Sequence, residues 1–489
     1  MNATPLDSPG PSGEASARSR PWWRVRLSLR AMMVLVLVIG APLGWQARRA
    51  SIQRRAVATV LSLSGKVSYE DEIDASGYPR RPHRPWGPRW LRGLIGDEFF
   101  QEVAWVNFDA RRGGRQVDDG SIAVVNDFDH LQGITIRGPN HQTGQLPTRL
   151  VTAEGLARLT GLPRLRVLHF YQIGSDAAML ALVPRWPTLE DVTIRDQTKA
   201  IPGSSLAHLA KLPRLKVAVV TSVESSEEAD LTPLAALKHL EQVIISRSPR
   251  SDRGVEQFAS IPSLRLLNLL QTEMTPKTLS ELARNPNLMS LSFDGSRLPT
   301  GGFSALANLS RLKYLDVSFD GHGGSPNAHH LIHRAAKRFG DADLDALRNA
   351  PLATLTIAGM DATDAGVRRL LQNLGFDSLT LGGRGITDAS IPLLAQLTQL
   401  RTLVLADTGI TDAGLAQLAA IPGLRTLSLV DNAALTDDGV AQLRTFPALE
   451  YLTIRQPGVQ PATLDAFRAA RSKVGPSFNL FQPPEEGSR

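Results

Sequence analysis

Residues 400–423 read LRTLVLADTGITDAGLAQLAAIPG, and the same sentence returns along most of the chain. Leu264, Leu288 and Leu312 each open an L-x-x-[LI]-x-[LVIF] run, and so do Leu352, Phe376, Leu400 and Leu424, spaced by 24 residues except for one longer step. Looser copies begin at Leu165, Leu189, Leu215, Leu240 and Leu449, and weaker ones at Val103 and Leu131, which makes about fourteen units. Self-similarity at this period decides the architecture before any single residue is considered.

The spacing dictates what each unit does. Leucines at positions 1, 4 and 6 place the last two on one side of a short extended run, because strand side chains alternate. A short strand with one apolar face is unstable alone in water, so each unit must stack on the next and form a parallel sheet along one side of a solenoid. The following T-D-x-G-L pattern reads as a helix start, with Asp388, Asp412 and Asp437 expected to accept hydrogen bonds from free backbone N–H groups. Leu415 and Leu418 then recur at helical spacing, and Ile421-Pro422 stops the helix. Between strand and helix lies a turn whose backbone needs partners; Thr272, Ser296, Thr408 and Asn432 fall there.

On these residues the chain resembles the leucine-rich repeat family, with Thr or Ser where many members carry Asn or Cys, over roughly residues 96–472. It is similar in particular to bacterial membrane-anchored members, which join an arginine-flanked apolar segment to a stretch seen here as Trp90-Leu91 and Gly96-Asp97-Glu98-Phe99-Phe100. The resemblance implies an α/β solenoid, an arc or horseshoe with a parallel sheet on the concave side and short helices on the convex side. It implies binding rather than catalysis, and brings no catalytic residue and no cofactor with it.

Charge is unevenly placed. Up to Arg92 there are 15 Lys and Arg against 6 Asp and Glu; the remainder holds 39 against 41. The high pI therefore belongs to the N-terminal segment, and a near-neutral repeat region argues against a nucleic-acid partner. Residues 1–20, rich in Pro, Ser, Gly and Ala, read as a disordered tail. Ala31–Trp45 (AMMVLVLVIGAPLGW) carries no charge, and the nineteen residues from Leu27 would span about 28 Å as a helix, close to a bilayer core of about 30 Å. Trp22, Trp23 and Trp45 sit where interfacial aromatics are expected. A cleaved signal peptide is the competing reading, although no small-x-small cleavage site follows.

The expectation is thus a single transmembrane helix within 21–55, a linker and N-terminal cap at 56–95, the solenoid at 96–460, and a cap helix with a loose tail at 461–489. Arg18, Arg20, Arg24, Arg26 and Arg30 against Arg48, Arg49, Arg54 and Arg55 place the solenoid on the non-cytoplasmic side by a narrow margin. Tyr78–Trp90, rich in Pro, Arg and Trp, reads as a stiff spacer or as a strip lying on anionic headgroups. Zero cysteines exclude disulfides and thiolate metal sites.

No phosphate-binding loop, nucleophile elbow, zinc-protease or dinucleotide motif is present. The step from Leu312 to Leu352 is 40 residues, which puts an insertion at about 320–338 holding His322, His329, His330 and His333. His329 and His333 are four apart, a spacing that suits a metal ion on a helix. No Cys or carboxylate motif completes such a set, so no metal is assigned, and the insertion reads equally as a partner-binding excursion or an inert polar loop.

The concave strand positions carry the functional expectation. Trp105, Arg137, His169, Tyr171, Arg195, Asp294, Tyr314 and Asp316 are the candidate partner-binding residues, since aromatics and Arg dominate interface energetics. From Thr354 through Thr380, Thr402, Val404, Thr426 and Ser428 the same positions become small and uncharged, as a soluble ladder would. The reading is a non-enzymatic, membrane-tethered module that takes a protein, a peptide or a surface polymer on its concave face, with oligomeric state left open. The rivals are a structural envelope component without a ligand and an intracellular adaptor.

Overall fold

The computed structural model describes residues 29–80, 86–112, 116–139, 151–196, 201–221, 223, 230–246, 252–318, 339–357, 359–373, 375–446, 448–455, 459–460, 462–463, 465–466 and 479–481. Its strands follow one another as β1 (Gly65–Tyr69), β2 (Val103–Asp109), β3 (Gly133–Arg137), β4 (Val167–Tyr171), β5 (Asp191–Arg195), β6 (Val217–Thr221), β7 (Gln242–Ser246) and β8 (Leu266–Glu273). They continue as β9 (Ser290–Asp294), β10 (Tyr314–Ser318), β11 (Thr354–Ile357), β12 (Ser378–Gly382), β13 (Thr402–Ala406), β14 (Thr426–Val430), β15 (Tyr451–Arg455) and β16 (Asn479–Phe481). All belong to one open sheet in strict sequence order. Each of the units read from the sequence supplies one strand from β2 to β15, beginning two residues after its opening residue except in the first, where β2 begins at Val103 itself.

Register follows the leucine spacing. Leu379, Leu403, Leu427 and Leu452 are lateral neighbours, and so are Leu381, Leu405, Leu429 and Ile454. These columns are buried, and with the helix and turn leucines such as Leu415, Leu418 and Leu424 they form one continuous core. No unit could bury this surface alone, which is why the sheet grows by stacking.

The helix starts differ from the sequence expectation. Thr, not Asp, is the N-cap: the side chains of Thr363, Thr387, Thr411 and Thr436 each accept from the backbone N–H two residues on. The Asp that follows reaches into the next unit instead. Asp388 accepts from the backbone N–H (2.8 Å) and hydroxyl (2.6 Å) of Thr411, and Asp412 does the same for Thr436 at 3.0 and 2.6 Å. Asp341 with Thr363 and Asp364 with Thr387 repeat the link. The glycine of T-D-x-G is explained by the same carboxylate, since a Cβ on Gly366, Gly414 or Gly439 would overlap the Oδ1 of Asp341, Asp388 or Asp412. Where Ser390 replaces glycine, its hydroxyl donates to Asp364.

The N-terminal half of the expectation needs the largest correction. The anchor and the first residues of the linker form a single helix, α1 (Leu29–Ser62), with Pro42 inside it. Its second half buries Ala50, Gln53, Ala56, Val57 and Val60, a helical stripe that, with Leu63 just beyond it, packs on the first units and closes the end of the core. Gln53 Nε2 donates to the Gln101 carbonyl at 2.8 Å. β1 then pairs antiparallel with β2, covering the first edge of the parallel sheet.

The predicted transmembrane helix is not found: among the described residues no helix is long and apolar enough to cross a membrane. The charge-free run Ala31–Trp45 spans only about 22 Å against a hydrocarbon core of about 30 Å, and Arg48 and Arg49 follow on a helix already docking on the body. The apolar residues of this half nonetheless stand exposed, among them Val34, Val36, Leu37, Val38, Ile39 and Leu43.

At the other end, β16 pairs parallel with β15 within 461–489, the stretch expected to hold a cap helix and a loose tail. The N-terminal tail 1–20, the histidine insertion 320–338 and most of 461–489 lie outside the described residues.

Candidate docking face

The sheet face opposite the core is the surface on which the candidate residues were placed. It is not uniformly open. Asp74 starts a tight turn, accepting from Ser76 N–H at 2.9 Å, with Gly77 in the left-handed region at φ 86° that its lack of Cβ permits. The turn folds Tyr78 back onto the sheet. There the Tyr78 ring meets Trp105 at 5.6 Å and stacks on His169 at 6.1 Å between centroids. Its hydroxyl donates to Asp191 Oδ2. Thr193 Oγ1 donates to Asp191 Oδ1 at 3.0 Å, and His169 Nε2 stands 3.0 Å from Oδ2 without the alignment of a hydrogen bond. Burial, then the Asp191 charge, pushes the Tyr78 hydroxyl above its ordinary value, so it remains a donor at neutral pH.

Tyr78 therefore covers part of the expected site. Trp105 is only 4% exposed and does not meet solvent, and His169 is mostly shielded. Tyr171 keeps a partly exposed ring, with the Arg137 guanidinium over it at 4.1 Å. That geometry is a cation–π contact between neighbouring strands, in register at Arg137 and Tyr171. Arg195 at the end of β5 is exposed.

Beside Tyr78 lies a cavity of about 490 Å³ between the 75–80 turn and strands β4 to β7. Val217, Val219 and Ile244 give it an apolar floor, and Arg195 and Glu241 stand on its rim. On the same rim Glu190 is gripped by Arg166, at 2.9 and 3.0 Å, and by Lys216 at 2.8 Å. Burial raises the Glu190 carboxyl but these hydrogen bonds outweigh it and hold Glu190 below the ordinary range. Sequence reading missed this turn and cavity. The signal was the Asp-x-Ser-Gly-Tyr stretch at Asp74–Tyr78, a turn pattern overlooked because it precedes the repeats.

Farther along, Tyr314 is 46% exposed and available, whereas Asp294 is buried at the end of β9 and accepts from Ser296 N–H at 2.8 Å. Asp294 is thus part of a turn and not of an open surface. Asp316 is half-buried, its Oδ1 has no hydrogen-bond partner, and desolvation pushes its carboxyl up to about 7. The small residues of β12 to β14 are a solvated ladder only in part: Thr402 and Thr426 are half-buried neighbours, whereas Thr380, Val404 and Ser428 are buried although they face away from the core. The candidate residues thus separate into an accessible group, Arg137, Tyr171 and Arg195 on β3 to β5, Tyr314 by itself, and a shielded remainder.

No family model matches the chain. Among solved structures it is similar to an internalin from Listeria monocytogenes, at 19% identity over 68% of this chain and 82% of that one, with a TM-score of 0.42. The repeat architecture stated above rests on the register and pairing of this chain's own strands.

Proposed function

We propose that this protein is a non-enzymatic docking scaffold, held at a membrane by the exposed apolar half of α1, that takes a protein or peptide partner on the open face of its sheet between β3 and β7. The observation that carries the reading is the cavity beside Tyr78. It joins an apolar floor to an exposed Arg195, whose register neighbour on β4 is Tyr171 of the Arg137–Tyr171 pair, and these are the residue types that anchor interfaces. Tyr314 extends the surface toward the middle of the sheet. A bilayer tether raises the effective concentration of the scaffold for partners on the same surface, so modest affinity suffices. The arginine balance across the apolar run, by its narrow margin, supports the sheet lying on the non-cytoplasmic side.

The test is photocrosslinking in native membranes from position 171, with position 399, exposed in a helix-to-strand turn, as control. The expected result is a discrete adduct from 171 that Arg195→Ala abolishes and that position 399 does not form. Equal adducts from both positions would sink the reading in favour of lateral packing in an envelope layer. Protease accessibility of the sheet in intact cells checks the side of the membrane, and protection matching a cytosolic marker would reverse it.

A further inference from the structure

A second surface lies away from the docking face. The short helix α2 (Arg89–Ile95) has no buried residue. Trp90 and Leu94, one helical turn apart and so on one side of α2, are 72% and 75% exposed, and Trp86 just before the helix is 73% exposed. Three large apolar side chains within nine residues are left in solvent next to a body that buries its other tryptophans, Trp105 and Trp186.

The position of α2 relative to α1 gives this surface a meaning. Trp86 contacts Phe100 edge-on at 5.8 Å, and Phe100 contacts Phe99 at 5.3 Å. The carbonyl of Phe99 accepts from Gln46 Nε2 at 3.1 Å, and the Ile95 carbonyl accepts from the Arg54 guanidinium. Arg92 is fixed to Asp97 at 2.9 Å. The α2 surface is consequently strapped to residues 46–54 of α1, the point at which that helix stops being exposed on every side and begins to dock. Trp45, exposed and under the Arg49 guanidinium at 5.4 Å, stands at the same level. Arg48 and Arg55 on α1 and Arg89 on α2 are exposed, while Arg49 is paired with Glu102 at 3.4 Å and Asp129 at 3.1 Å, and the largely shielded Glu98 is tied to Arg54 at 3.4 Å.

We infer that the Trp86–Trp90–Leu94 surface, together with Trp45 and the exposed arginines of α1 and α2, is a bilayer-interface surface that seats the first units of the sheet on an anionic membrane. The inference rests on the tether reading for where the bilayer lies. Tryptophan belongs at this level because its ring is apolar and its N–H is polar, so it partitions to the headgroup boundary. Arginines supply the attraction to anionic headgroups. A protein groove would cover one side of an apolar helix; α1 is exposed around its circumference here, which is the geometry lipid satisfies. With this contact made, α1 and α2 together fix the orientation of the sheet to the membrane, which a lone helix on a flexible linker would not.

The test uses the full chain with Trp22, Trp23 and Trp45 replaced by Phe, so that Trp86 and Trp90 are the tryptophans outside the core. It is reconstituted with vesicles of phosphatidylcholine and phosphatidylglycerol, some carrying phosphatidylcholine brominated near the headgroup end of the acyl chain. The expected result is emission quenched by the shallow bromines, and loss of that quenching when Trp86→Phe and Trp90→Phe are added. Co-flotation with vesicles but no quenching would overturn this inference and leave the tether standing. A chain that fails to float would overturn both. Equal quenching on pure phosphatidylcholine would overturn the anionic preference.

Discussion

Asp388 and Gly414 are a matched pair in adjacent units: the carboxylate occupies the space in which a side chain at 414 would sit. Gly414→Ala is therefore expected to destabilise by about 1–3 kcal/mol, as overpacking does. Asp388→Ala leaves two Thr411 donors without their acceptor and should cost about 1–3 kcal/mol. The diagnostic result is the double variant. Once the carboxylate is gone, Gly414→Ala should be nearly neutral, so the two costs measured by urea unfolding will be strongly non-additive; simple addition would refute the carboxylate explanation of the glycine. Asp316 carries a pH prediction. Its carboxyl is raised from 3.8 to about 7 in the folded chain, so the native state binds the extra proton between those values and stability falls as pH rises through that window. The whole shift corresponds to about 4 kcal/mol at most. Asp316→Asn should flatten the dependence of the urea midpoint between pH 5 and 8, and an unchanged slope would assign the effect elsewhere. Asp364 works in the opposite sense. Burial raises it, but hydrogen bonds from Ser390 and Thr387 outweigh this and hold it low, so its contribution is present above about pH 4 and is lost on acidification. Residue identity at the repeat positions was legible from sequence, whereas the partner of each Asp was not. A capping residue and an inter-unit bridge have the same spelling, and only the position of the next unit tells them apart.

At the scale of elements, the Asp74–Tyr78 turn and α1 are where local reading fell short. Tyr78 seals Trp105 by ring contact and a hydrogen bond to Asp191. Tyr78→Ala is expected to shift Trp105 emission to the red and open it to acrylamide, while Tyr78→Phe, which keeps the ring, should leave Trp105 shielded. Identical behaviour of the two variants would show that the ring is not the seal. The candidate site was thus half legible: the strand positions facing away from the core follow from alternation, but exposure depends on a segment reaching them from outside the repeats. For α1, the apolar run was readable. Its continuation into a docking helix was not, because the stripe of Ala50, Gln53, Ala56, Val57 and Val60 has no partner until the first units are in place.

For the molecule as a whole, stability is a sum over units and their interfaces, so damage at one end should stay near that end. Val57→Asp with Val60→Asp places charges in the buried stripe of α1. Hydrogen exchange is expected to show protection lost over β2 to β4 and retained over β12 to β14. Uniform loss would indicate one cooperative body and contradict a chain of locally stabilised units. The sheet ends are managed unequally, by an antiparallel strand and α1 at the start and by the short β16 at the finish. The sequence alone determined the repeat, its strand register and its continuous core, because a hydrophobic period of 24 residues has one way to be buried. Tertiary structure decided which parts of the outward face remain open and how α1 meets the body. Both depend on contacts between segments far apart in the chain, and periodicity encodes only what each unit owes its neighbours.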